Sequence, residues 1–298
     1  MRVLVTGASG HIGGAAALAL SNSGHDVVGL SRGTSDSLPP ALQQVQLDIG
    51  EGDFVESATQ TIARCDAVVH AAAALEPGLY SEALSRTNCW GTQQLLRLAH
   101  EWEVHDFVYI SGVAVIGLPQ AHPITEEHPT RPESAYTASK LFGEHLVSLY
   151  AKEHACGTSL RVTSPVGPGL RAKRIFSTFI DRALRGDALA VAGKGGRRQD
   201  YVDVRDVASA LKRCLERHVP GVLNIGSGVP VSNLELAEAV VSTLQSDSTV
   251  CCEGEPGPDE QLCWDVSLQK AREALGYEPE HSLEDSVRAL AAEMQAGT

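Results

Sequence analysis

The chain has 298 residues, a formal net charge of −13 and an apolar fraction of 43%. This length allows one large core with a smaller lobe, and the negative charge argues against binding to nucleic acid or to an anionic membrane surface. The sequence contains no apolar run of 18 residues and opens on a strand-like segment rather than a charged leader, so we expect neither a membrane span nor a signal peptide.

The seven cysteines form no C-x-x-C pair and have no histidine at metal-ligand spacing. An odd number of cysteines without a pairing pattern is typical of free thiols in a reducing compartment. We therefore expect a cytoplasmic protein without a disulfide framework and without a metal site.

The first fourteen residues, MRVLVTGASGHIGG, contain the strongest local signal. The apolar pattern predicts a strand at Arg2–Thr6 and a helix at Ala15–Leu20, with Gly7, Gly10 and Gly13 in the turn between them. This glycine spacing allows the backbone to approach a pyrophosphate at the helix N-terminus. A plain strand-to-helix turn also uses glycine, so the motif alone leaves both interpretations open.

Strands and helices then alternate. Four further strands are predicted at His25–Leu30, Val45–Ile49, Ala67–Ala71 and Phe107–Ser111, with helices at Phe54–Ala63 and Glu82–Trp102. Alternation of this kind predicts an α/β fold with a doubly wound parallel sheet, whose ligands bind beyond the carboxyl ends of the strands. We expect a dinucleotide-binding domain of residues 1–165 and 200–228 and a small substrate lobe of residues 166–199 and 229–298.

Residues that follow two of the predicted strands indicate which cofactor the protein would bind. After the second strand, Ser31 and Arg32 stand where an NAD enzyme usually carries an acidic residue for the ribose hydroxyls. A cation there can neutralise a 2′-phosphate, which favours NADP over NAD, although Arg32 also suits a solvent-facing loop. After the third strand, Asp48 either accepts a hydrogen bond from the adenine amino group or caps the following helix.

Two residues within the predicted helix Glu82–Trp102 disfavour helical backbone, namely Asn88 and Gly91. Some local contact should compensate for them. Either a buried Asn88 steadies the backbone of the site, or Gly91 allows the helix to pack closely on the sheet.

The segment YTASK places Tyr136 and Lys140 one turn apart on the same face of a predicted helix. A tyrosine hydroxyl titrates near pH ~10, and an adjacent ammonium stabilises its phenolate. Such a phenolate can take a proton from an alcohol while a hydride leaves for a nicotinamide. The pair occurs by chance on many helices, but here it follows a glycine turn and a proline-rich loop.

Together these motifs, with HAAA, TNCWGT, LRVTSPVGPG, RQDYVDVRDVA, LNIGSG and LGYEP, resemble the extended short-chain dehydrogenase/reductases of the epimerase/dehydratase branch. The resemblance implies a Rossmann-type sheet, Tyr136 as catalytic acid/base and Lys140 as its partner. It also implies a homodimer formed through the helices at Glu82–Trp102 and Ser134–Glu153. The cofactor residues implied by the resemblance and the strand ends are Gly7, Ser9, Gly10, His11, Ile12, Gly13, Ser31, Arg32, Asp48, Ile49, Ala71, Ala72, Ala73, Asn88, Lys140, Pro165 and Val166.

One departure from the family pattern concerns the residue that polarises the substrate oxygen. Gly112 stands where the family segment S-S/T-x-x-V-Y-G has its second hydroxyl residue. We expect Ser111, one residue earlier, to take over as a catalytic residue, with a water or Thr137 as alternatives. The segment Val113–Ala114 replaces the Asp-Glu of the dehydratases, so elimination of water is not expected.

A second departure concerns the substrate diphosphate. Gln199 occupies a family arginine position, Glu255 lies near a second one, and Ser164 replaces an asparagine. Unless Arg171, Arg197 or Arg198 reaches the site, a diphosphate would lose charge-assisted hydrogen bonds. An uncharged ketone or alcohol would suit such a pocket better.

We therefore expect an NAD(P)-dependent oxidoreductase that transfers a hydride between nicotinamide and a carbonyl or secondary alcohol, with a small-molecule or sugar-derived substrate. Two alternatives stay open. One is a nucleotide-sugar epimerase with tightly bound NAD, and the other is a cofactor-binding regulator without turnover.

Overall fold

The computed structural model describes residues 1–76, 78–153 and 156–296. Seven strands form the central sheet, namely β1 (Arg2–Thr6), β2 (Asp26–Ser31), β3 (Gln43–Gln46), β4 (Ala67–His70), β5 (Asp106–Gly112), β6 (Cys156–Val162) and β10 (Gly221–Ile225). Their order is β10-β6-β5-β4-β1-β2-β3, and every neighbouring pair is parallel. The doubly wound sheet is thus confirmed, and its order reverses between β1 and β4, the point where such sheets bind ligands.

Helices cover both faces of this sheet. One face packs against α1 (His11–Asn22), α6 (Val204–Arg217) and α8 (Gln269–Leu275), and the other against α2 (Phe54–Thr61), α3 (Gly91–Glu101) and α4 (Ala135–Glu153). Alternate side chains of β1 enter the two cores, with Val3 and Val5 on the α1 side and Leu4 on the other. Burial on both faces explains why the strands are continuously apolar.

The smaller elements surround a third apolar core. They are β7 (Ser164–Val166), β8 (Leu189–Ala192), β9 (Arg198–Asp203), β11 (Pro230–Ser232), β12 (Val250–Glu253), α5 (Ile175–Arg185), α7 (Asn233–Leu244) and α9 (Leu283–Ala296). Three of the strands form a sheet of order β11-β9-β7, and β8 pairs with β12 in parallel. The predicted division into two domains stays a prediction. Across the described residues, no helix is both long enough and apolar enough to cross a membrane.

Three predicted elements differ from the structure by more than two residues at an end. The helix predicted at Ala15–Leu20 is α1, which begins at His11 and ends at Asn22, so Gly13 lies within the helix and not in the turn before it. The third strand was predicted to reach Ile49, but it ends at Gln46 because Asp48 closes a turn, its Oδ1 accepting a hydrogen bond from the Gly50 amide at 2.8 Å. The helix predicted at Glu82–Trp102 is divided into a π-helix at Leu84–Trp90 and the α-helix α3. The division falls between Asn88 and Gly91, the two residues that disfavour a regular helix.

Candidate active site

The glycine motif covers the turn between β1 and α1 and the first turn of α1, where Gly13 lies, and backbone contacts explain two of its three glycines. Gly7 has a φ of +70°, and a Cβ there would lie 2.7 Å from the amide nitrogen of Ala72. A Cβ at Gly13 would overlap the carbonyl oxygen of Gly7. At Gly10 a Cβ would meet only that same carbonyl, at 3.2 Å. The fold itself therefore requires Gly7 and Gly13, while Gly10 keeps one side of the turn accessible.

The N-terminus of α1 is arranged to accept an anion. Gly10 is its N-cap residue, no side chain caps the helix, and the first turn carries no acidic residue. Its backbone amides and the positive end of the helix dipole are thus available to a pyrophosphate, as a dinucleotide requires. His11 begins the helix, and burial lowers the pKa of its imidazole. Among the described residues its buried Nε2 has no hydrogen-bond partner.

The predicted cofactor residues at the strand ends lie on the same edge of the sheet. After β4, the Ala71 amide donates to the carbonyl of Thr6 at 3.3 Å, and the Ala72 amide donates to the Thr6 hydroxyl at 3.2 Å. Ser31, the last residue of β2, donates from its hydroxyl to the carbonyl of Gly33 at 2.6 Å, and Arg32 is exposed. The other residues of the predicted set lie in the turn before α1 (Ser9), in α1 (Ile12), in the segments after β3 and β4 (Ile49 and Ala73) and in β7 (Pro165 and Val166), and their contact with a cofactor stays a prediction.

Asp48 is engaged in the turn that ends the third strand rather than in the cap of α2, which begins at Phe54 after Asp53. The helix-capping alternative for Asp48 is therefore wrong, because the helix begins too far along the chain. The contact with adenine stays a prediction.

Tyr136 and Lys140 lie in the first turns of α4, as their spacing predicts. Lys140 is only 3% exposed, and its Nζ lies 4.2 Å from the centre of the Tyr109 ring, which stabilises a cation. Burial lowers the pKa of Lys140 to about 7, and the Glu144 carboxylate opposes this shift. Burial raises the pKa of Tyr136, opposed by the charge of Arg174. The cation whose charge acts on the Tyr136 pKa in this structure is Arg174. Stabilisation of the Tyr136 phenolate by a Lys140 ammonium stays a prediction.

Asn88 joins the loop after β4 to the first turn of α4. Its Oδ1 accepts a hydrogen bond from the Ala74 amide at 2.8 Å, and its Nδ2 donates to the Ala74 carbonyl at 3.1 Å and to the Ser139 hydroxyl at 2.9 Å. Ser139 in turn donates to the carbonyl of Tyr136 at 2.7 Å. Asn88 therefore steadies the backbone of the site. Gly91 also packs closely, since a Cβ there would lie 2.7 Å from Ile49, but Ile49 lies in the turn after β3 and not in the sheet.

Ser111 is part of a buried ion pair that the sequence did not reveal. Its hydroxyl donates to Glu144 at 2.6 Å, and Glu144 forms a salt bridge with Arg161 at 2.8 Å, both side chains being nearly inaccessible. The single hydroxyl proton of Ser111 is therefore used by a carboxylate. Its role as a donor to substrate stays a prediction. In that role the Ser111 hydroxyl would have to give up its hydrogen bond to Glu144 and donate to the substrate instead.

Gly112 has space beside it for a side chain. It has extended backbone, and a Cβ there would meet only the carbonyl of Val162, at 3.8 Å. The alternative donor, Thr137, hydrogen-bonds within the first turn of α4, its hydroxyl lying 3.0 Å from both the hydroxyl and the carbonyl oxygen of Ser134. The family hydroxyl is thus missing from a position that has space for it.

The residues at the expected diphosphate positions satisfy one another. The Gln199 amide donates to the Ser164 hydroxyl at 2.7 Å. Arg197 pairs with Asp259 at 3.1 Å, and Arg198 pairs with Glu235 at 3.0 Å. A diphosphate at this site would have to compete with carboxylates for both arginines.

Two buried polar residues support the site without having been predicted. The Asp200 carboxylate accepts hydrogen bonds from the amides of Ser227 and Gly228 at 2.8 and 2.9 Å and so fixes the loop after β10. His70 lies between two hydroxyls, Thr6 at 2.8 Å and Thr92 at 2.9 Å. Burial lowers the pKa of His70 to about 3, so the ring is neutral beside Lys140. For His70, the only signal in the sequence was its position at the end of the predicted fourth strand.

Comparison with known proteins extends over nearly the whole chain. Residues 3–226 match the NAD dependent epimerase/dehydratase family. A low-salt glycan biosynthesis protein of Haloferax volcanii is 33% identical, with 97% of each chain covered. UDP-glucuronic acid decarboxylase 6 of Arabidopsis thaliana is 30% identical, covering 96% of this chain and 87% of that one.

Two solved structures are similar over their full lengths. UDP-glucose 4-epimerase of Thermotoga maritima, determined with UDP-glucose, has a TM-score of 0.90 at 25% identity and covers 100% of this chain and 99% of its own. UDP-glucose 4-epimerase of Thermus thermophilus, in complex with NAD, has a TM-score of 0.86 at 26% identity, with both chains fully covered.

Proposed function

This chain belongs to the NAD-dependent epimerase/dehydratase family and is an enzyme of the extended short-chain dehydrogenase/reductase type, and from that premise we propose that it oxidises a secondary alcohol on a sugar-derived substrate, or reduces the corresponding carbonyl. The observation that carries the proposal is the placement of Tyr136 and Lys140 on one face of α4, with Lys140 buried over the Tyr109 ring. This is the arrangement that a tyrosine acid/base requires.

In this mechanism Tyr136 exchanges one proton with the substrate oxygen, while Lys140 stabilises the phenolate. A bound nicotinamide supplies the hydride acceptor, or in reduced form the donor. The uncapped α1 N-terminus would hold the pyrophosphate, and Asn88 keeps the Tyr136 turn against the loop after β4. The substrate oxygen has no hydroxyl donor at Gly112, so a water there would be the second hydrogen-bond partner.

We propose NAD rather than NADP as the cofactor, against the expectation from Arg32. The family and the solved complex with UDP-glucose 4-epimerase are both described with NAD. An Arg32→Ala variant should therefore bind NADH as well as the unaltered protein does, and a selective loss of NADPH binding would restore the NADP expectation.

The substrate proposal follows from the pairing of Gln199 with Ser164. This contact and the ion pairs of Arg197 and Arg198 support a sugar-derived alcohol without a tightly held diphosphate. A second candidate, nucleotide-sugar epimerisation, is favoured by the full-length similarity to UDP-glucose 4-epimerases. Epimerisation would use the same tyrosine and would consume no net cofactor.

One experiment separates these functions. Purified protein is assayed for co-purifying nucleotide, for NADH and NADPH binding by fluorescence, and for turnover on sugar alcohols, ketoses and UDP-glucose. Net oxidation of an uncharged substrate supports the proposal. Interconversion of UDP-sugars with retained NAD supports the epimerase, and binding without turnover on any substrate supports a regulator.

We also propose a cytosolic homodimer. All seven cysteines lie within the described residues and are unpaired, which suits a reducing compartment. The helices predicted to pair expose three large apolar side chains, Trp90, Phe142 and Leu149, and the last two lie seven residues apart on α4. Light scattering should give twice the chain mass, and Leu149→Glu should halve it. A monomer mass for the unaltered protein would refute the dimer.

A further inference from the structure

A cluster of two histidines and one aspartate lies at the start of β5. His105 Nδ1 is 3.0 Å from Asp106 Oδ2, and His218 Nδ1 is 2.9 Å from Asp106 Oδ1. The two imidazole rings are nearly perpendicular, with centroids 4.9 Å apart. Within the described part of the chain this is the one group of three potential ligands whose donor atoms all lie within 4.8 Å of one another.

The cluster is accessible on one side and fixed on the other. The Asp106 side chain is 3% exposed, while those of His105 and His218 are 59% and 47% exposed. The amide of His105 donates to the carbonyl of Asp66 at 3.0 Å, and His218 holds a left-handed conformation at the end of α6. An ion could therefore enter from solvent and meet ligands whose backbone positions are set.

The distances suit a small transition-metal ion. Two ligand atoms bound tetrahedrally to Zn²⁺ at about 2.0–2.1 Å lie about 3.3 Å apart, a few tenths of an ångström beyond the present contacts between Asp106 and each imidazole. Imidazole nitrogen and carboxylate oxygen together favour zinc, cobalt, nickel or copper over magnesium and calcium, which prefer oxygen ligands alone.

A second buried aspartate shows what a purely structural pair looks like in this protein. Asp206 accepts one imidazole, that of His281 at 2.8 Å, and two backbone amides, those of Glu280 and His281, each at 3.1 Å. Its carboxylate is therefore satisfied mainly by the backbone. Asp106 is instead approached by two side chains from different parts of the chain, 112 residues apart in the case of His218.

We propose that His105, Asp106 and His218 form a binding site for one Zn²⁺ ion, completed by water, at the edge of the sheet opposite the candidate active site. Asp106 and Gly112 are the two ends of β5, so the site lies about 20 Å from the substrate cleft. The ion would join the start of β5 to the end of α6. Its role would be to strengthen the fold, and catalysis would proceed without it.

The test uses full-length protein without an affinity tag, stripped of metal with a chelator. Zn²⁺ is titrated by calorimetry, Co²⁺ binding is followed by visible absorption, and melting temperature is measured with Zn²⁺ and with Mg²⁺. We expect one Zn²⁺ per chain, a rise in melting temperature with Zn²⁺ alone, and Co²⁺ absorption typical of nitrogen and oxygen ligands.

Surface variants decide the assignment. His105→Gln and His218→Gln should each weaken Zn²⁺ binding at least tenfold and abolish the Zn²⁺-dependent rise in melting temperature. His281→Gln, which removes the matched imidazole on Asp206, should leave binding unchanged. The proposal is overturned if the unaltered protein binds no Zn²⁺, or if the His105 and His218 variants bind it as tightly as the unaltered protein.

Discussion

The two sides of the candidate active site differ in whether their polar groups already have hydrogen-bond or ion-pair partners within the protein. On the cofactor side, the N-terminus of α1 is uncapped, and the turn at Gly10 stays open. On the substrate side, Gln199 bonds to Ser164, and both Arg197 and Arg198 are paired with carboxylates. Unused donors indicate that the cofactor side is prepared for an anion. The hydrogen bonds and ion pairs on the substrate side support our proposal of a substrate without a tightly held diphosphate.

A substitution at Tyr136 should separate the two sides most sharply, because it should change turnover without changing cofactor binding. Tyr136→Phe removes the proposed acid/base and should lower turnover about 10²- to 10⁴-fold, since general acid–base catalysis contributes that much. NADH binding, measured by fluorescence titration, should stay unchanged because the cofactor side is intact. Tyr80→Phe, at an exposed tyrosine, is the matched control. Full activity in Tyr136→Phe would remove the chemical basis of the proposed function.

The substrate side can be converted toward the family pattern. Gln199→Arg places a cation opposite Ser164 and should tighten UDP binding about 10- to 150-fold, because a hydrogen bond to a charged group contributes about 1.5–3 kcal/mol. Calorimetry with UDP measures the effect. Gln93→Arg, which adds the same charge at an exposed position of α3, is the control. Tight UDP binding by the unaltered protein would contradict the distinction between the two sides.

The buried Lys140 predicts a pH dependence of stability. Its pKa is lowered to about 7 in the folded chain, against about 10.4 when unfolded, so between these values the unfolded chain holds more protons. The free energy of unfolding should therefore gain up to about 1.4 kcal/mol per pH unit from this group as pH rises from 7 to 9. Urea unfolding of Lys140→Met should lack this gain, whereas Lys152→Met, at an exposed position of α4, should keep it. Parallel curves for all three proteins would exclude a depressed pKa at Lys140.

The smallest expected effect is at Gly112. Gly112→Ser supplies a hydroxyl where space exists and should raise turnover about 2- to 12-fold, the value of one hydrogen bond of about 0.5–1.5 kcal/mol. Gly112→Ala adds the Cβ without the hydroxyl and should have no such effect. Steady-state kinetics distinguishes them, and equal rates in both variants would show that the substrate oxygen lies elsewhere.

Local sequence patterns predicted the glycine turn, the alternating strands and the Tyr136–Lys140 pair, because each depends on residues within one element. Contacts between distant residues were not predictable. Asn88 is hydrogen-bonded to Ala74, which lies 14 residues away in the sequence, and Glu144 is paired with Arg161, which lies 17 residues away. The spacing of Glu144, one turn after Lys140, was the only hint of the ion pair. The third strand ended early because one carboxylate–amide bond, from Asp48, outweighed the apolar pattern that continued to Ile49.

The hydrogen bonds of Asn88, which lies in the π-helix, have a consequence for the motion of the segments they join. The Ala74 amide is held by the same side chain that contacts Ser139, and Ser139 holds the carbonyl of Tyr136. That amide can exchange its hydrogen with solvent only when its bond to the Asn88 side chain opens, and a rotation of that side chain would also break its bond to Ser139. Hydrogen exchange at the Ala74 amide should thus report how often the turn that carries Tyr136, the proposed acid/base, loses this support.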